Sequence, residues 1–380
     1  MRQTENRKKR KTKRRNRGKE LTTRRRYRRR HTLIGKIGIA LLVLLITVLV
    51  LILIAAAAVL WMNAHGRSSL LKRQEERPDQ MEQLAEEEET SSSLPDGAIR
   101  YNGKAYLYKE NILTFLCMGI DRKGEVEASD NLFQGGQADS LFLAVLDPDE
   151  KKISIIGINR DTMTEINVYD ANGLYAGKEV AQIALAHAYG DGLEKSCENT
   201  VEAVSNLFYG LPIHGYCALN MSVISTINDA VGGVDVTIPA SLAGKRDGWT
   251  EGEQVHLMGD AAYTFIHDRD TSVARSAEER LERQKQYLNA FVAQAKEAMR
   301  ADMTLPLKLY TQVTPYMVTD ITADEAVYLA GQALSYSFSP ENIYGMEGHV
   351  EMGETFEEFY QDDTALYELI LEVFYEELPE

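Results

Sequence analysis

The residues best suited to chemistry stand at the two ends of one short stretch, Ala138–Thr162, ADSLFLAVLDPDEKKISIIGINRDT. Asp139 is near its start and Arg160-Asp161-Thr162 is its end. Between them, Leu141–Leu146 and Ile153–Ile158 are apolar runs separated by DPDEKK, a polar turn with an Asp-Pro step. Short β-favouring runs broken by turn chemistry predict an antiparallel hairpin. With Leu146 opposite Ile153, the register carries Asp139 to a place opposite Arg160, on strands about 4.8 Å apart. The result is a charged rim on an apolar sheet, with a guanidinium fork of the shape that matches phosphate oxygens two at a time. An ordinary strand-end ion pair plus a turn would carry the same residues.

Both runs are apolar on successive residues, which predicts strands covered on both faces, at the centre of a layered α/β domain. Upstream, Arg100–Tyr108 reads as a hairpin turning at Asn-Gly, and Asn111–Ile120 as a strand ending at Asp121. Glu125–Gln137 reads as a loop, and DANG within Tyr169–Lys178 as a turn. Gln182–Tyr189 and Glu194–Phe208 suit helices, and Ile213–Leu219 a strand. Val223–Val231 suits a helix stopped by Gly232-Gly233 before the strand Val234–Ile238. Glu278–Met299 is the clearest helix: Leu281, Leu288, Val292 and Ala295 share one sector at 100° per residue. Arg280, Gln284, Tyr287 and Phe291 form the adjacent stripe, so Arg280 and Gln284 sit at the margin of the buried face, while Arg283 points towards solvent. Long side chains snorkelling beside a core would give the same pattern. A last helix is expected over Asp324–Leu334.

Composition sets the wider frame. The chain has 380 residues and a formal charge of −15, sharply segregated. Residues 1–31 hold 17 Lys/Arg against Glu5 and Glu20, which leaves the remainder at about −30. Between the basic tail and the acidic body, the 26 residues Ile37–Met62 contain no charge. That exceeds the roughly 20 residues that span a bilayer and the roughly 7–15 of a cleavable signal. The Arg/Lys excess predicts a cytoplasmic N-terminus and an external C-terminal domain. Topology and anionic headgroups account for the basic arm without nucleic acid. The expected organisation is a cytoplasmic tail, 1–36; a transmembrane helix, 37–62; an acidic stalk, 63–100; a folded domain, 101–340; and an acidic extension, 341–380. The stalk is expected to be helical to about Glu89 and then flexible, lifting the domain off the bilayer. Cys117, Cys197 and Cys217 have no metal-ligand spacing, and the runs around Cys117 and Cys217 suit buried thiols. The sequence holds no zinc motif, Gly-rich nucleotide loop or nucleophile elbow.

From about Ile112 to Leu334 the chain resembles the LytR-CpsA-Psr proteins of bacterial cell-wall assembly. The pieces stand in order: MGID at 118–121, ADS at 138–140, INRDT at 158–162, AYGDG at 188–192, LPIHGYCALN at 211–220, NDAVGGVDVTIP at 228–239, and LMGDAAYTFIHDR at 257–269 with RLERQ at 280–284. The resemblance implies a three-layer α/β/α sandwich around a mixed central sheet, preceded by one transmembrane helix. It implies a transferase using Mg²⁺ that moves a phospho-glycan from a polyprenyl pyrophosphate carrier to peptidoglycan. The polymer would be teichoic-acid-like, capsular or another secondary wall polymer. Localisation would be the bacterial cell membrane, of Gram-positive type. Carried over by position, Asp121 and Asp139 are the metal-side carboxylates, and Arg160, Arg269, Arg280 and Gln284 the pyrophosphate clamp. Asp161 would support Arg160.

Mg²⁺ takes oxygen ligands and often only one or two carboxylates beside the substrate's own phosphates, which agrees with two assignable acids. Phosphoryl transfer is mainly positioning and charge neutralisation. Several positions depart from the family's pattern. His267 stands where an arginine of the clamp is expected, so a titratable ring replaces a permanent cation. Ala277 stands where an acid proposed as base is expected, Gln182 replaces a lysine, and Asn159 a proline. Two other readings follow from these departures. One is a binding protein that holds the lipid-linked glycan without transferring it; the other is a hydrolase of the same pyrophosphate.

Overall fold

The computed structural model describes residues 58–73, 95, 97–129, 134–170, 172–268 and 276–379, except for the side chains of 276–278 and 281. The chain divides into two units, Met1–Trp61 and Met62–Glu380. The basic tail and nearly all of the expected span 37–62 lie outside the described residues, as do 74–94 of the expected stalk. Among the described residues no helix is long and apolar enough to cross a membrane.

The second unit begins with a helix, α1, through residues 62–71. β1 (Ala98–Tyr101) and β2 (Lys104–Tyr108) form the expected hairpin; Asn102 and Gly103 both have positive φ, as an Asn-Gly turn of the primed kind requires. β3 (Leu113–Ile120), β4 (Ala138–Asp147) and β5 (Lys152–Ile158) follow. Leu146 pairs with Ile153 and Leu141 with Ile158, the register read from the hydrophobic runs. The turn between them is locked by Asp147, whose Oδ1 accepts from the backbone N–H groups of Asp149 (3.0 Å) and Glu150 (2.9 Å). Its Oδ2 accepts from Lys109 Nζ at 3.0 Å.

β6 (Met163–Tyr169) and β7 (Tyr175–Gln182) make a second hairpin. The helix expected over Gln182–Tyr189 is accordingly cut short. Gln182 pairs with Met163 in that ladder, and only α2 (Leu185–Ala188) is helical. α3 (Glu194–Leu207), β8 (Gly215–Asn220), α4 (Ile224–Ala230) and β9 (Val234–Thr237) lie close to their expected places. Next come β10 (Gln254–Leu257), α5 (Asp260–His267), α6 (Ser276–Ala301), α7 (Leu305–Val313), β11 (Met317–Thr319) and α8 (Ala323–Ala333). β12 (Ile343–Gly345), β13 (Gly348–Met352), β14 (Glu357–Gln361), α9 (Asp363–Phe374) and β15 (Tyr375–Glu377) complete the chain.

The central sheet is mixed and six-stranded, in the order β11-β8-β3-β4-β5-β12. β3 and β8 are parallel, as are β5 and β12, whereas β4 runs antiparallel to both neighbours. Side chains alternate across a strand, so the two faces separate cleanly. One face (Leu116, Met118, Leu141, Leu143, Ile156, Ala218) is sealed against α3 and α9. On the other face, Leu113 and Phe115 pack beneath Leu70 of α1 and Tyr328 and Leu329 of α8. Further along that face the strands line a cavity.

The expected boundary at 340 is crossed by the sheet itself. β12 pairs with β5, β15 adds to β1-β2, and α9 buries Leu366, Ile370 and Phe374 in the main core. Its acidic composition hid this, because the acids of α9 lie on the face away from the core. Asp362 caps α9 by accepting from the N–H groups of Thr364 (2.9 Å) and Ala365 (3.0 Å). Burial of one aliphatic side chain is worth about 1.5–3 kcal/mol, against a total stability of about 5–15 kcal/mol. A chain ending at Ser339 should therefore lose its cooperative thermal transition. A melt within a few degrees of the full chain would show the sheet to be independent of β12 and α9.

Candidate functional site

Arg160 lies just past the last paired residue of β5, and its fork faces back towards β4. Nη1 donates to Asp139 Oδ1, Nη2 donates to Gln137 Oε1 at 2.6 Å, and Nε lies 3.3 Å from Asp161 Oδ1. The hairpin register thus delivers the Asp139–Arg160 pairing, with both side chains largely covered. Asp161 is held in turn by Gln182, whose Nε2 donates to Asp161 Oδ1 (3.1 Å) and to the Glu357 carbonyl (2.8 Å).

Gln137 was not singled out in the sequence, yet it links Arg160 to Asp121. Its side chain receives Arg160, and its backbone N–H donates to Asp121 Oδ1 at 2.6 Å. The neighbouring Gly136 has φ +85°, and a Cβ there would lie 2.9 Å from Asp121 Oδ1 and 2.6 Å from Arg122 Cγ. Only glycine allows this loop to close on Asp121. The signal available in sequence was the Gly-Gly pair before ADS.

Burial raises the Asp139 carboxyl above the ordinary aspartate range. Arg160 opposes that shift, Asp121 adds to it, and Arg280 and His267 oppose it more weakly. Asp121, Asp139, Arg160, Arg280 and His267 thus share one electrostatic neighbourhood. Arg280, Gln284 and His267 join Asp139 and Arg160 in lining the cavity. Gln284 Nε2 donates to the Ile266 carbonyl at 3.3 Å, and the His267 ring stacks on Tyr263 at 4.7 Å. Arg269 lies outside the described residues, as does the side chain of Ala277.

Arg283 does not face solvent as its place on the helical wheel suggested; it is 4% exposed. The end of α5 packs against this side of α6, and Arg283 supplies donors for its terminal carbonyls. Nη1 donates to the Phe265 carbonyl at 2.6 Å and Nη2 to the Asp268 carbonyl. It fixes the chain that carries His267 against the helix that carries Arg280 and Gln284.

The cavity has a volume of about 1290 Å³. Its floor is the open face of the sheet (Cys117, Phe142, Gly157, Leu219), and Leu288 and Phe291 of α6 line it as well. The segment Ile343–Val350 adds a further wall. An apolar chamber thus meets a cluster of arginines, acids and amides at the strand ends. That arrangement suits an amphiphile with a long apolar body and an anionic head.

Fold and site together define an α/β protein with an apolar cavity beside a cluster of charged and amide side chains. The chain belongs to the LytR_cpsA_psr family, whose model matches residues 68–361. It is 30% identical over 217 residues to the polyisoprenyl-teichoic acid–peptidoglycan teichoic acid transferase TagU of Bacillus cereus, a match covering 57% of this chain and 63% of that one. Against the protein of the same name from Bacillus mycoides, identity is 29% over 221 residues, covering 58% and 64%. The chain therefore spans less than two thirds of the length of these curated relatives. The crystal structure of B. subtilis TagV is similar with a TM-score of 0.53 and 24% identity, over 69% of this chain and 94% of that one. TagT bound to LIIa-WTA gives 0.52 and 18%, over 69% and 89%. These likenesses bear on the fold, an α/β architecture with a central mixed sheet.

Two substitutions test the site's electrostatics. A raised carboxylate costs stability above its folded pKa and nothing below its unfolded value near 4. Asp139→Asn should therefore leave the melting temperature at pH 7 unchanged or higher, with the gain fading towards pH 4. A fall at pH 7 would mean that the ionised pair with Arg160 stabilises the fold. Arg283→Met leaves two carbonyls without donors, at about 1–3 kcal/mol each, so denaturant titration should show a loss of about 3 kcal/mol. A loss below about 1 kcal/mol would show those carbonyls to be re-solvated.

Proposed function

We propose that this chain is a membrane-anchored transferase that moves a phospho-glycan from a polyprenyl pyrophosphate carrier to peptidoglycan. The observation that carries the reading is the apolar cavity of about 1290 Å³ lined at one end by Asp139, Arg160, Arg280, Gln284 and His267. The polyprenyl chain occupies the apolar chamber and the pyrophosphate lies against the cluster. Arg160 and Arg280, with Arg269, bind phosphate oxygens; Gln284 and His267 add neutral or titratable donors. Asp161 and Gln137 keep the Arg160 fork aimed, since both contact its nitrogens. The relatives named as polyisoprenyl-teichoic acid–peptidoglycan teichoic acid transferases support the same class of substrate.

In the reaction, a hydroxyl oxygen of the peptidoglycan acceptor forms a bond to the glycan-side phosphorus. The bond from that phosphorus to the bridging oxygen breaks, polyprenyl monophosphate leaves with the electron pair, and the hydroxyl's proton passes to the departing phosphate or to solvent. The arginines hold the phosphates in line and spread the charge that gathers on the equatorial and leaving oxygens. The sealed face of the sheet keeps the strand ends rigid, and the cavity walls exclude water from the lipid end.

Mg²⁺ fits the acids present. Burial raises the Asp139 carboxyl and Asp121 adds to the shift, a repulsion between two carboxylates that a cation would relieve. Asp121 and Asp139 would hold the ion with the substrate's phosphates completing its shell. Bound there, it would neutralise pyrophosphate charge. The uncharged run 37–62 and the basic residues before it support a single span with the N-terminus in the cytoplasm and this domain outside.

Incubating the full chain with a short lipid-linked glycan, a muropeptide and Mg²⁺ should yield joined product. Free phospho-glycan would favour hydrolysis, and bound but unchanged lipid would favour a carrier. Arg160→Lys should reduce joined product about a hundredfold or more, because a point charge cannot replace a planar fork. Near-normal turnover by this variant would remove the hairpin end from the active site.

A further inference from the structure

Residues 63–73, which follow the uncharged run, are docked on the domain rather than standing off as a stalk. Four contacts fix α1. Leu70 is 1% exposed and packs on Leu113 and Phe115. Gly66 lies so close to α8 that a Cβ would fall 2.3 Å from the Asp324 carbonyl oxygen and 2.8 Å from Glu325 N. His65 Nδ1 is 2.5 Å from Asp324 Oδ2. Arg73, just beyond the helix, donates to the His214 carbonyl (2.9 Å), Asp320 Oδ2 (2.9 Å), the Asp320 carbonyl (3.0 Å) and Glu325 Oε2 (3.4 Å). His214 in turn accepts the Thr114 N–H of β3 on its Nδ1 at 3.0 Å.

The place where Leu70 lands matters most. Phe115 and Cys117 are two residues apart on β3 and share one face, as do Ala144 and Phe142 on β4. Cys117 and Phe142 line the cavity, whereas Phe115 and Ala144 belong to the cluster around Leu70. The same sheet face is therefore cavity floor at one position and covered ground one step further on. That step is roughly 6.6 Å of strand.

We propose that α1 is the end stop of the apolar cavity: Leu70, seated by Gly66 and Arg73, closes the sheet face beyond Cys117 and so sets the length of apolar chain the cavity takes. This rests on the lipid-binding reading above and extends it from the class of ligand to its measured length. Without Leu70, Leu113 and Phe115 keep Tyr328 and Leu329 of α8 beside them but lose the side chain that α1 lays on them, which opens room at that end of the floor. The segment between membrane and domain is then a specificity element. A fragment starting after it would bind chains of a different length from the whole protein.

The test uses the full chain in detergent and a graded series of polyprenyl monophosphates from farnesyl to undecaprenyl. Wild type should gain affinity with length up to a plateau. Leu70→Ala and Gly66→Leu should both move the plateau to a longer chain, with the first chain past the old plateau binding at least about tenfold tighter than to wild type. Should Leu70→Ala lose its thermal transition, Leu70→Val gives the same reading with less disturbance. Identical plateaus in folded variants and wild type would overturn the end stop. If no polyprenyl phosphate binds at all, the functional reading fails separately. A series of neutral alkyl-linked fluorophores then measures the cavity's depth in the same proteins: a longer limit in the variants supports the end stop, and an unchanged limit overturns it.

Discussion

The register of β4 against β5 is the constraint on which the rest of the molecule depends. A slip by one residue would turn every side chain of a strand to the opposite face. Either Leu141 and Leu143 of β4 or Ile156 and Ile158 of β5 would then leave the sealed core, and the cavity-floor residues of that strand would take their places. The Asp147 turn, held by two backbone N–H groups and by Lys109, fixes that register from the closed end. At the open end the same register sets Arg160 against Asp139. One set of backbone pairings thus decides both which face is dry and where the charged cluster stands.

The cluster is possible only because the two faces are treated differently. A sheet sealed on both faces would leave no room beside Asp139 for a ligand. An open face without cover would be an aggregation hazard. α6 resolves this by standing over part of the face and bringing Arg280 and Gln284 to the cavity wall with Leu288 and Phe291. Arg283, one position before Gln284, is spent on the carbonyls at the end of α5. Neighbouring arginines on one helix therefore do unlike work, one lining the cavity and one pinning the chain beneath it.

Much of the central sheet was legible in the sequence, because β3, β4, β5 and β8 are local runs whose apolar pattern reports burial directly. The Asp139–Arg160 pairing was legible for the same reason, being a consequence of hairpin arithmetic. Gln137 was not, since its role comes from a loop that Gly136 folds back onto Asp121. Arg283 was misread because a helical wheel shows which side a residue is on, but not which element covers that side. Tertiary contact with α5 decided it. β7 was missed, its start falling in the stretch read as a turn and Gln182 in the one read as helix, because its residues are mostly exposed and lack a clean two-residue alternation.

Both ends of the folded unit were also hidden, and for a common reason. The charged residues around 63–73 and 341–379 read as solvated, yet composition averages over faces and cannot show a buried stripe. α9 places Leu366, Ile370 and Phe374 in the core, while β15 extends the β1-β2 sheet. α1 places Leu70 on the other side of the central sheet. The folded unit is thus closed from both of its ends, and the two ends act on different faces. The C-terminal helix packs against the sealed face and keeps the strands rigid. The N-terminal helix covers only the far part of the open face. A charged segment next to an apolar sheet need bury only one leucine and one arginine to become part of the fold, provided a glycine lets its backbone close in. Leu70, Arg73 and Gly66 meet those three conditions.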